Sequence, residues 1–140
     1  MAFDAFVLTA VLSEIRDNFI GARIVKIHQP GRDTVILHLK SPAARQKLLF
    51  GMNPTAPRLH LTASNPENPA EPPMFCMLLR KHIQNGRIVA IRQPSLERIV
   101  CIDIEHLDEL GDLCKKTLIV ELMGKHSNII FCNEDGIIID

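Results

Sequence analysis

Thr34-Val-Ile-Leu-His-Leu-Lys40 is the stretch whose reading decides the fold. Val35, Leu37 and Leu39 alternate with Ile36, His38 and Lys40, the two-residue period of a strand that turns one face to a core. Working outward, Arg23 to Gln29 precedes this run, and Lys47 to Phe50 and Arg58 to Thr62 follow it. All are β-branched or alternating and are separated by Pro and Gly, the pattern of successive antiparallel strands. Arg87 to Gln93, Arg98 to Glu105, Thr117 to Met123 and Asn128 to Asn133 read in the same way. Asp135-Gly136 opens a turn into Ile137 to Ile139.

Two segments have a different period. Phe3, Phe6, Val7, Ala10, Val11, Glu14 and Ile15 place apolar residues every three or four positions, an amphipathic helix that Gly21 stops. Pro72-Pro73 suits a second helix start, and Phe75, Leu78, Leu79 and Ile83 recur at helical spacing until Asn85-Gly86. Between strands and second helix, Ala63 to Pro73 holds four prolines and reads as a surface loop. The predicted class is α+β, a predominantly antiparallel sheet or sandwich with two main helices. No internal repeat is read. Because a new apolar run begins as the chain stops at Asp140, residues 1–140 are expected to be one domain, truncated at its C-terminal end and cut from a longer multidomain protein.

Composition narrows the function classes. With 140 residues, 46% apolar and 23% charged, the chain is long enough to build a core. It holds no apolar run of about 18 residues, and Asp4 and Glu14 interrupt the place of a secretory signal, so a cytoplasmic, non-membrane protein is expected. Cys76, Cys101, Cys114 and Cys132 lie 25, 13 and 18 residues apart and read as small buried side chains rather than zinc ligands. The six histidines have no metal-ligand spacing, and no cofactor is implied. Sixteen basic and sixteen acidic residues balance, yet residues 1–100 carry 13 Lys/Arg against 7 Asp/Glu while residues 101–140 carry 3 against 9. One part of the surface is therefore suited to phosphates and another is not.

The motifs give no enzyme. Gly124-Lys125 lacks the earlier glycine and following hydroxyl of a phosphate loop, since Ile119 and His126 occupy those places. On spacing alone, Gly124-Lys125-His126-Ser127 is a hairpin loop. Glu97-Arg98 at the entry to a strand reads either as a solvated edge or as a phosphate contact. Arg80-Lys81-His82, followed by Arg87 and Arg92, is the densest basic run, although the dipole favours cations in a last helical turn in any case. With no Trp or Tyr to stack on bases, any RNA is expected to be recognised through its backbone and shape.

Met1-Ala-Phe-Asp4, Gly21 to Pro30, Arg58 to Thr62, Glu71 to Lys81, Glu97 to Val100 and Glu121 to Ile130 together resemble, in order and over the whole chain, the NFACT-N domain of RqcH, fibronectin-binding protein A-like and NEMF proteins. The resemblance implies a fold similar to the amino-terminal domain of formamidopyrimidine-DNA glycosylases. It also implies binding of the large ribosomal subunit carrying peptidyl-tRNA, and recruitment of alanyl-tRNA for untemplated alanine tailing of stalled chains. The Asp-Arg pair that this family uses to engage tRNA falls on Glu97-Arg98, with Glu in place of Asp, and its early acidic residue falls on Asp4. Arg80, Lys81, Lys125 and His126 are secondary candidates for RNA contact. A fibronectin-binding adhesin is the alternative that the historical label suggests. A DNA glycosylase is disfavoured, because Ala2 and Phe3 stand where those enzymes carry a proline nucleophile followed by Glu.

Overall fold

The computed structural model describes residues 5–42, 45–52, 58–63, 66, 68–93, 99–122 and 128–133. Helix α1 (Ala5–Phe19) leads into strands β1 (Arg23–Gly31), β2 (Thr34–Lys40), β3 (Arg45–Gly51) and β4 (Arg58–Thr62). Helix α2 (Met74–Ile83) then leads into β5 (Arg87–Arg92), β6 (Ile99–Leu107), β7 (Leu113–Glu121) and β8 (Asn128–Asn133). The strands form one open eight-stranded antiparallel sheet in the order β4-β3-β2-β1-β5-β6-β7-β8, so the class is α+β as expected.

Each helix forms because its apolar residues fall on one stripe: Leu8, Leu12, Ile15 and Phe19 on α1, and Cys76, Leu79 and Ile83 on α2, all buried. Strand alternation supplies the other side of the core. Val35, Leu37 and Leu39 of β2 and Val100, Ile102 and Ile104 of β6 face inward and join the helices in one apolar cluster. Ile36 departs from the alternation. It lies on the opposite face, yet is only 2% exposed, between His28 and the buried Leu49 in register. Strand β7 begins at Leu113, earlier than the expected Thr117, because Lys115 and Lys116 pair with Glu105 and Ile104 although their polarity hides the strand. Cys76, Cys101 and Cys132 are buried as expected, whereas Cys114 is half-buried with its thiol 3.5 Å from the Asp108 carboxylate. The strand-like run at Ile137 to Ile139 lies outside the described residues.

The absence of an internal repeat is corrected by the fold. Helix plus four-stranded meander occurs twice, related by a two-fold relation at the centre of the sheet, where Arg23 pairs with Arg87. The hydrogen bonds obey a constant separation of 64 residues. Gly21 N–H donates to the Ile88 carbonyl at 2.7 Å, and Asn85 N–H donates to the Ile24 carbonyl at 2.7 Å. Likewise Ile24 N–H reaches the Gly86 carbonyl and Ile88 N–H the Ala22 carbonyl, each at 2.9 Å. Gly21 and Asn85 both have positive φ, +88° and +70°, and both β1 and β5 shift register after their second residue. In the sequence this is Arg23-Ile-Val-Lys-Ile-His-Gln-Pro30 against Arg87-Ile-Val-Ala-Ile-Arg-Gln-Pro94. Elsewhere the side chains diverge while burial is retained, as Leu12, Ile15 and Phe19 become Cys76, Leu79 and Ile83, which is why the repeat escapes a reading by composition.

Beyond Arg23 and Arg87 the two central strands no longer pair, which frees backbone carbonyls. Arg80 Nε donates to the Ile27 carbonyl at 2.9 Å, and its equivalent Arg16 donates to the Ile91 carbonyl at 2.7 Å. Each helix thus closes the strand of the opposite repeat: α2 packs on β1 and α1 on β5.

Candidate functional site

Asp4, Glu97, Arg98, Lys125 and His126 all lie outside the described residues, so the site is built from the elements that flank them. Ile99, next to Arg98, pairs with Glu121, and Glu121 pairs in turn with Asn128. The ends of β6, β7 and β8 that border residues 97–98 and 125–126 are therefore neighbours on one edge of the carboxy-terminal meander. Near the start of α1, Thr9 hydroxyl donates to Gln93 Oε1 at 2.8 Å, and Gln93 follows the end of β5. Three segments far apart in sequence thus have flanks gathered at one end of the sheet. Sequence spacing could not reveal this, because it arises from the antiparallel return of β6 to β8 and from α1 crossing to the opposite repeat.

Arg80 and Lys81, adjacent in sequence, are separated by helical rotation. Arg80 is half-buried, its Nε held by Ile27 and its terminal nitrogen 3.5 Å from His28 Nδ1. Lys81 is exposed and lines a groove of about 580 Å³ with His82, His106, Cys114 and Lys116. Burial, reinforced by Lys116 and Lys81, lowers the His82 pKa from its ordinary 6.5. His106 is lowered too, mainly by burial, and its Nε2 is buried with no hydrogen-bond partner among the described residues.

The two repeats differ at the middle of their outer faces. In the carboxy-terminal repeat, Arg92 grips Asp103 with two hydrogen bonds, 2.8 and 3.0 Å, and Thr117 hydroxyl donates to the same carboxylate at 2.7 Å. Burial pushes the Asp103 pKa up, but the bonds from Arg92 and Thr117 and the Arg92 charge outweigh it and hold it below 3.8. In the amino-terminal repeat, the positions corresponding to Arg92, Asp103 and Thr117 hold His28, His38 and Lys47, as the strand registers align them. His28 and His38 meet edge to face with ring centres 4.8 Å apart. Burial lowers both their pKa values, and Lys26 and Lys47, with Arg80 acting on His28, lower them further. This histidine and lysine cluster was missed in the sequence, where the histidines appear scattered.

Among the described residues no group of three or more His, Cys, Asp and Glu side chains is arranged to hold a metal ion, and no helix is long and apolar enough to cross a membrane. Residues 4–140 match the family described as NFACT N-terminal and middle domains. The chain is 45% identical over 141 residues to the Rqc2 homolog RqcH of Bacillus subtilis, covering 100% of this chain and 25% of that protein. It is 26% identical over 138 residues to the ribosome quality control complex subunit NEMF of Homo sapiens, 99% of this chain and 12% of that protein. The N-terminal structure of the fibronectin/fibrinogen-binding protein from Streptococcus suis superposes with a TM-score of 0.95 at 41% identity, covering 99% of this chain and 52% of that one. The N-terminal domain of fibronectin-binding protein PavA from Streptococcus pneumoniae gives 0.92 at 39%, covering 95% and 50%. The chain belongs to the NFACT-N family of domains found in RqcH/NEMF ribosome quality-control factors.

Proposed function

We propose that this chain is a non-catalytic RNA-binding module that engages tRNA and the large ribosomal subunit carrying peptidyl-tRNA, and helps to recruit alanyl-tRNA for untemplated alanine tailing in the cytoplasm. The observation that carries the reading is the 45% identity to RqcH across the whole chain. The common edge of the segments flanking Asp4, Glu97-Arg98 and Lys125-His126 supports it. Arg98 is the principal tRNA contact, through a phosphate or a base edge, and Glu97 and Asp4 are further members of the site. Lys81, Lys125, His126 and the terminal nitrogens of Arg80 are secondary contacts. A likeness to the amino-terminal domain of formamidopyrimidine-DNA glycosylases belongs to the same reading as scaffold only, because Ala2 and Phe3 replace the nucleophile and its neighbour. Arg98→Ala, introduced at the chromosomal locus, is expected to abolish tRNA recovery with the tagged protein on stalled large subunits while its abundance is unchanged. Undiminished tRNA recovery would remove Arg98 from the site.

A second reading, a fibronectin-binding surface protein, is favoured by what the two streptococcal structures are said to bind. Protease treatment of intact cells separates the two: loss of the protein supports the adhesin, and protection until lysis supports the ribosomal factor.

A further inference from the structure

The two repeats provide an internal comparison, because the same backbone positions carry different charges. On the outer face of the carboxy-terminal meander, the cross-strand row Arg87–Glu105–Lys115 alternates in sign, and Asp103 in the next row is matched by Arg92. The equivalent rows of the amino-terminal meander are Arg23–Lys40–Arg45 and Lys26–His38–Lys47, with no carboxylate in either. Directly opposed like charges destabilise a sheet, and the other repeat demonstrates that this scaffold does not require them. From Arg23 to Thr62 the sequence carries seven Lys or Arg and one carboxylate, Asp33, whereas from Arg87 to Asn133 it carries six against seven. The excess charge of the first 100 residues therefore lies on this one meander. A groove of about 500 Å³ on this meander is lined by Lys26, His38, Arg45, Lys47 and Thr62, with Leu39 among its apolar residues.

We propose that the outer face of β1 to β3, centred on Lys26, His38, Arg45 and Lys47, is a binding surface for the phosphate backbone of RNA, separate from the β5 to β8 meander whose ends flank Glu97 and Arg98. The cations extend over three strands at about 4.8 Å per strand, and the two rows stand about 7 Å apart, which suits a run of phosphates rather than one isolated anion. The chain has no Trp or Tyr, so the surface reads backbone and shape rather than stacked bases. The inference rests on the reading of the chain as an RNA-binding module, and adds to it a second, sequence-independent contact that sets affinity while Glu97-Arg98 sets productive engagement.

The test is fluorescence anisotropy of the full chain with a fluorescein-labelled RNA duplex and with a tRNA transcript, titrated between about 50 and 200 mM salt. Lys26→Gln/Arg45→Gln changes two exposed side chains. It is expected to weaken binding at least about tenfold and to flatten the logarithmic salt slope by about 1.8, roughly 0.9 for each lost phosphate contact. Lys40→Gln/Arg45→Gln serves as a second pair, and circular dichroism melting verifies that each variant is folded. The control Arg87→Gln/Lys115→Gln removes two exposed cations from the other meander, at the positions equivalent to Arg23 and Arg45, and is expected to leave the slope unchanged. Equal weakening by the control, or an unchanged slope in both test pairs, overturns the proposal. So does tighter binding of the unsubstituted chain to phosphatidylserine vesicles than to RNA. If tRNA recovery in cells depends on Arg98 but not on Lys26 and Arg45, this surface fails while the tRNA-binding function stands; no RNA binding by the chain and no effect of Arg98→Ala overturn both.

Discussion

Arg80 is assigned two roles, strand closure through its Nε and RNA contact through its terminal nitrogens, and its symmetry mate makes them separately measurable. The Ile27 carbonyl, in a residue 1% exposed, receives the Arg80 Nε at 2.9 Å and lies 3.6 Å from the Cys76 thiol. The Ile91 carbonyl receives Arg16 Nε at 2.7 Å, and where the other repeat has Cys76 it has Leu12, which carries no donor. A hydrogen bond from a charged donor contributes about 1.5–3 kcal/mol, and a buried acceptor left unmade costs about 1–3 kcal/mol. Arg16→Ala is therefore expected to destabilise by about 2–3 kcal/mol. Arg80→Ala is expected to cost less, about 1–2 kcal/mol, since the thiol remains within reach of the oxygen. Lys81→Ala, on an exposed side chain one residue away, should stay within about 0.5 kcal/mol of the unsubstituted protein. Urea unfolding followed by circular dichroism gives all three values from midpoints at constant m. An Arg80→Ala midpoint equal to that of the unsubstituted chain, together with weakened RNA binding, would show that the guanidinium serves RNA and that the carbonyl contact contributes nothing.

Three further outcomes follow from the geometry. Asn85 has φ +70° where its mate Gly21 has +88°, so Asn85→Gly should raise stability by up to about 1 kcal/mol, and Gly21→Ala, with nothing within 4 Å of the added methyl, should lower it by about 1–2 kcal/mol through backbone strain alone; thermal melts of both variants check the pair. Gly86→Ala places a methyl 2.9 Å from both the Ile83 carbonyl oxygen and the Ile104 side chain and should cost about 1–3 kcal/mol, although the mate of Gly86 is itself alanine, Ala22; an unchanged melting midpoint would show that the backbone yields there. Because the folded-state pKa of Asp103 lies below its ordinary 3.8, its contribution to stability is full above that value and is lost as pH falls through the folded-state value; urea midpoints across the acid range should fall less steeply in Asp103→Asn.

The fold was legible where one rule acts alone. Val35, Leu37 and Leu39 fix an inward face because β2 is paired on both sides, and the register carries that face through β1 and β3. Both helices were legible from their apolar stripes, and Gly21 and Asn85-Gly86 from the positive-φ turns that end them. The start of β7 is hidden in the sequence because paired lysines do not look like a strand, and the burial of Ile36 is hidden because alternation sets it opposite the core face and says nothing of what Leu49 contributes beside it. The duplication was hidden for a related reason. Core positions constrain size and apolarity rather than identity, so Ile15 and Leu79, or Phe19 and Ile83, perform one task with different residues. At the candidate site, identity came from motif resemblance, whereas the convergence of the flanks of Asp4, Glu97-Arg98 and Lys125-His126 is a property of pairing that no local pattern encodes.

Duplication also clarifies how a chain of zero net charge carries a strongly cationic face. A scaffold used twice offers every outer-face position in two copies, and stability requires only that each copy bury its apolar face. The carboxy-terminal copy resolves its buried carboxylate internally, with Arg92 and Thr117 on Asp103, and alternates charge in the row above. The amino-terminal copy leaves the protonation of His28 and His38 disfavoured by burial and by the charges of Lys26 and Lys47, an arrangement whose electrostatic cost an external anion would relieve. If that cost served folding, the equivalent positions would carry it too. They do not, so the charge difference between two halves of one backbone points to a partner outside the chain, and the sign of that difference sets the partner's charge.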